Sequence, residues 1–84
     1  MEIKLFYKTQ RELANALNTL IDSYWNNEIE EDKFIEEILR LYKNNSDKII
    51  KDNEYTKILQ QQCGKRRLEV VSKVMLIKSK TNLI

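Results

Sequence analysis

Proline and histidine are absent from this 84-residue chain, and glycine, cysteine and tryptophan occur once each. With no His and a single Cys, the usual thiolate and imidazole zinc sites, which need about four such ligands, cannot be assembled. We expect no metal and no other cofactor. One Cys also excludes an intramolecular disulfide, so a chain this short has a thin margin of stability unless a partner supports it. No stretch approaches the roughly 20 apolar residues of a membrane span, and the opening "MEIKLFYKTQRELANAL" has no basic region followed by a long apolar run. We therefore expect a cytoplasmic protein that does not engage a membrane.

What is present describes an ordinary folded domain: 42% hydrophobic and 33% charged residues. The length allows one domain over residues 1–84, since independent domains run from roughly 50 to 200 residues. Lys, Ile, Leu, Glu and Asn dominate, which favours helices joined by short polar turns.

Thr9 stands three residues before Glu12, the capping-box spacing, and announces a helix. Leu13, Ala16, Leu17, Leu20, Ile21, Tyr24 and Trp25 then recur at intervals of three and four, ending at "NNE" 26–28. A second helix is expected over 30–43, with Phe34, Ile35, Ile38, Leu41 and Tyr42 on one face and acidic residues near its start, where the helix dipole favours them. "NNS" 44–46 reads as a turn before a short helical turn at "DKIIK", and "DNE" 52–54 as another before a helix carrying Tyr55, Ile58 and Leu59. Gly64 is a natural C-cap, and Leu68, Val71, Val74 and Met75 continue the helical spacing beyond it. The expected fold is all-α, a small bundle of four to five short helices with residues 79–84 frayed. Because "EIKLFYK" alternates and "VVSKVMLI" is β-branched, a short pairing of N- and C-terminal strands, α+β, is the alternative. Most of the seven large aromatics are expected in the core.

Charge is distributed unevenly. Residues 1–27 are neutral; residues 28–54 hold five cations against nine anions, a net −4; residues 55–84 hold seven cations against Glu69 alone, a net +6. The last third is where an anionic partner would dock. There "YTKILQQQCGKRRLEVVSKV" has the outline of a helix-turn-helix over 55–75, with Gly64 at the turn and Arg66 and Arg67 at the start of the second helix. Gln60, Lys65 and Lys73 occupy positions that are usually small or apolar in that motif. Lys65, Arg66, Arg67 and Lys73 are the candidate nucleic-acid-binding residues, with double-stranded DNA as the expected partner. The competing account is that acidic helix two neutralises this basic end within the fold.

Catalysis is not expected. Cys63 has cations beside it but no His to act as base, and adjacent pairs such as Glu36 and Glu37 diverge by about 100° around a helix. The second functional reading is a protein-interaction module, such as a phage- or plasmid-type inhibitor or adaptor, binding through the acidic helix or an aromatic patch. Its candidate residues are Tyr24, Trp25, Glu31 and Glu36, and homodimerisation through leftover apolar surface fits either reading.

"ELANALNTLIDSYWNNEIEEDKFIEEI" and "NEYTKILQQQCGKRRLEVV" together resemble a family of short uncharacterised proteins, about 85 residues long, of low-GC Gram-positive bacteria and their mobile elements. The Tyr-Trp pair, the acidic helix start and the Gly-Lys-Arg-Arg-Leu run carry the resemblance. It implies a context and no activity, cofactor or binding residue.

Overall fold

The computed structural model describes residues 6–81, with side chains as far as Ile77. Helix α1 spans Gln10–Trp25. Thr9 is its N-cap, with Oγ1 accepting the Glu12 N–H at 3.1 Å. Asn26 closes the helix, and Asn27 turns the chain with φ 60°, a left-handed value that Asn tolerates. Leu13, Ala14, Leu17, Leu20 and Ile21 are buried on one face.

Helix α2 spans Glu31–Ile49 and is longer than the expected 30–43. Asn45 bends it rather than ending it: its φ/ψ of −135°/27° is non-helical, yet helix resumes and carries Ile49 into the core. Asn45 is fully buried, donates through Nδ2 to the Leu41 carbonyl four residues back at 3.0 Å, and accepts the Tyr7 N–H at Oδ1 at 3.1 Å. A side chain thus satisfies polar groups at the bend and ties the segment before α1 to α2.

Strands β1, Ile50–Lys51, and β2, Glu54–Tyr55, form a two-residue hairpin in which Ile50 faces Tyr55 and Lys51 faces Glu54. Its loop residues, Asp52 and Asn53, have φ of 54° and 67°, both left-handed, as a type I′ turn requires. "DNE" is therefore a hairpin turn and not a helix start. Thr56 leads into helix α3, Lys57–Thr81, with its N–H donating to Ile49 O and its hydroxyl to Lys48 O.

Gly64 interrupts α3 with φ 81° and ψ 165°, a region essentially confined to glycine. The reason for the break lies in the core. Leu59 and Leu68 are nine residues apart, so a continuous helix at about 100° per residue would point them roughly 180° from each other; both are buried. The break reorients the second half so that Leu68, Val71 and Val74 join Leu59 and Cys63 in one core with α1 and α2.

Among the described residues there are three helices and a hairpin, against the expected four to five helices, because the chain kinks at Asn45 and Gly64 and resumes helix directly instead of passing through a turn. Residues 70–77 are helical, and the sheet lies at Ile50–Tyr55, not between the termini; residues 2–5 of the expected N-terminal strand lie outside the described residues. Five of the seven aromatics lie in or against the core, and the expectation fails at Phe6 and Trp25. Phe34 alone is fully buried, Tyr7, Tyr24, Tyr42 and Tyr55 are half-buried, and Phe6 and Trp25 are 66% and 43% exposed. The four tyrosines pack against the core, and Tyr24 and Tyr55 make hydrogen bonds through their hydroxyls.

Candidate nucleic-acid interface

Breaking α3 at Gly64 leaves backbone carbonyls that need partners, and neighbouring side chains supply them. Asn18 Nδ2 donates to Gln62 O at 2.8 Å and Arg67 Nη1 to Cys63 O at 3.2 Å, while the Cys63 thiol lies 3.8 Å from Ala14 O. Cys63 is buried, and burial pushes its thiol up to about 11, against a smaller opposing influence of the Arg67 guanidinium. A thiol so held is a poor nucleophile at neutral pH.

The second half of α3 therefore begins at Lys65, with three cations in its first turn. Positive charge there opposes the helix dipole. Arg67 is compensated: its Nε and Nη2 each lie 3.0 Å from a carboxylate oxygen of Asp22 on α1, a bidentate pair. Lys65, Arg66 and Lys73 are exposed, and none has an ion-pair partner among the described residues. Arg66 and Lys73 are seven residues apart, so they share one face about 10 Å apart along the axis. Glu69 lies between them in sequence, the one carboxylate of α3.

The acidic helix does not reach this surface through any ion pair among the described residues. Its charges pair within α2, where buried Glu37 receives Lys33 at 3.3 Å and Arg40 at 3.7 Å. Of the ion pairs among the described residues, only Arg67–Asp22 joins two helices, and it joins α3 to α1.

Residues from both functional readings meet at Trp25. The Arg66 and Arg67 guanidinium carbons lie 5.7 and 5.9 Å from its ring centroid, within cation–π range. Tyr24 turns inward: its ring stacks on Phe34 at 4.3 Å and its hydroxyl donates to Glu31 Oε1 at 3.3 Å. Glu31 and Glu36 are both exposed but five residues apart, about 140° around α2, so they do not share a face with each other. The Trp25–Arg66 contact was not legible in the sequence, because it joins residues 41 positions apart.

Gln60, Lys65 and Lys73 are all exposed, and Gln60 Nε2 donates to Tyr55 O at 2.7 Å. The positions that are small or apolar in a helix-turn-helix are thus not buried between helices here, and the turn is the single residue Gly64. Tyr55 fixes the hairpin to this half of α3, with its hydroxyl 3.2 Å from Leu68 O and 2.6 Å from Ser72 Oγ. Burial raises the Tyr55 phenol pKa, with the Ser72 hydrogen bond acting the other way. Among the described residues there is no group of three or more Cys, Asp or Glu placed to hold a metal, and no helix long and apolar enough to cross a membrane.

The described residues form a small, mostly helical protein in which Lys65, Arg66 and Lys73 on α3 are exposed without an ion-pair partner among them. The chain belongs to a family described as conserved hypothetical protein, whose model matches residues 4–76. No curated protein and no solved structure matches it.

Proposed function

We propose that this is a non-enzymatic, cytoplasmic nucleic-acid-binding protein that grips the phosphate backbone through Lys65, Arg66 and Lys73 on the second half of α3. The observation that carries the reading is the separation of charge: α3 is strongly basic, and among the described residues it forms no ion pair with the acidic α2. Uncompensated cations on one helix face attract a polyanion without reading its sequence and release counterions on binding. Arg67 serves as a positioning residue, since its guanidinium is engaged by Asp22 and the Cys63 carbonyl. We extend this to a regulatory role on double-stranded DNA, which rests on the same cationic surface.

The test is fluorescence anisotropy of a labelled random duplex at low salt, with wild type and a variant carrying Arg66→Glu and Lys73→Glu. Helix content by circular dichroism shows whether the variant is folded. Binding by wild type and its loss in the folded variant is the expected result; equal binding by both, or no binding by wild type to this duplex or to a single strand, overturns the proposal.

One observation favours a second reading, a protein-interaction module. Leu76 is 61% exposed beside a groove lined by Ile50, Tyr55 and Met75, an apolar surface of the kind a protein partner covers. Pull-down with a Leu76→Glu variant as control separates this reading from the first.

A further inference from the structure

We infer that the basic face takes unpaired nucleotides in preference to a blunt duplex, with a base stacked at Trp25. The inference rests on the nucleic-acid reading above and names the form of nucleic acid. A backbone grip alone needs only cations, yet here the chain's single tryptophan is 43% exposed at the edge of the cationic face. Surfaces that hold single strands combine cations that follow the phosphates with aromatic rings on which bases stack, and stacking tolerates any base because each has a π-face. Trp25 and Arg66 bring both elements together.

The two arginines at the ring have different freedom. Arg67 is fixed by two hydrogen bonds to Asp22 and one to Cys63 O, so it holds its side of the indole in place. Arg66 is exposed, and its contact with Trp25 is the one interaction it has among the described residues. It can therefore swing to a phosphate and leave indole surface to a base, while Lys73, two turns along the same helix face, meets the strand further on. In a duplex the bases are stacked on one another and offer the indole no face. The advantage of unpaired nucleotides is lost if the site is a backbone grip alone.

The test uses the full chain and three labelled DNA probes: an oligothymidylate, a blunt duplex, and the same duplex with a single-stranded overhang. Affinity is read by anisotropy and stacking by the emission of Trp25, which is the only tryptophan and so reports on the site without labelling. The expected result is tighter binding of the oligothymidylate and the overhang than of the blunt duplex, with quenching of Trp25. Trp25→Ala should lose roughly 5- to 150-fold in affinity for single strands, the range for removing one base–aromatic stack, and Trp25→Phe should recover part of it. Should Trp25→Ala fail to fold, quenching and probe preference in wild type decide the matter. Salt-sensitive binding of all three probes with equal affinity and unchanged emission overturns this inference and leaves the backbone grip standing. Binding of none overturns both.

Discussion

Replacing Gly64 with alanine tests the architecture at its most constrained point. At φ 81° and ψ 165° an L-residue is strained by about 1–3 kcal/mol. No steric clash adds to this, because an added Cβ meets nothing within 4 Å. Alanine also stiffens the unfolded chain, which returns about 0.4–1 kcal/mol. The net effect runs from about zero to a loss of about 2.6 kcal/mol, or a fall in Tm of up to about 20 °C for a domain of this size. Straightening α3 is no escape, since it would turn Leu68 to the side opposite Leu59 and expose one of two buried leucines. Thermal melts of wild type and variant by circular dichroism measure the difference. D-Alanine at position 64, introduced by ligating two synthetic segments at Cys63, prefers the mirror-image backbone and should lose less. An L-alanine variant clearly more stable than wild type, or a D-alanine variant less stable than the L-alanine one, would refute the reasoning: position 64 would then be helical, and the two leucines could not share one core.

Asn45→Ala removes the acceptor for the Tyr7 N–H and the donor to Leu41 O at a fully buried position, and should destabilise by roughly 1–3 kcal/mol in urea unfolding. The buried Cys63 thiol stays protonated in the folded state up to about 11, against the ordinary 9.0, so the folded chain holds a proton that the unfolded chain releases. Its contribution to stability is present below pH 9 and lost as pH rises from 9 to 11, and Cys63→Ala should flatten that part of the urea midpoint–pH curve relative to wild type. Glu69→Gln removes the one carboxylate of α3 and should tighten duplex binding at low salt by a few-fold, read by anisotropy, with unchanged helix content.

Local signals were the legible ones. Thr9 as a cap, the α1 stripe and the glycine at a helix break follow from spacing and from the chemistry of single residues. The bends at Asn45 and Gly64 are harder to read, because their polar groups are satisfied in part by tertiary partners, Tyr7 N–H for Asn45 and Asn18 for the Gln62 carbonyl, and in part locally, by Leu41 O and Arg67. The hairpin is not legible because "DNE" marks a turn before a helix as readily as a turn between two strands, and the choice depends on the pairing of Ile50 with Tyr55. Of the candidate site, the concentration of cations in the last third was plain from counting. That Asp22 engages Arg67 while Arg66 rests on Trp25 depends on how α1 and α3 cross, which no local pattern encodes.

The salt dependence of duplex binding tests the central claim most directly. Three phosphate contacts, from Lys65, Arg66 and Lys73, predict a slope of log K against log salt of about −2.7, reduced by about 0.9 for each of the three cations neutralised to glutamine. A slope near zero, or one that the three substitutions leave unchanged, would contradict the account.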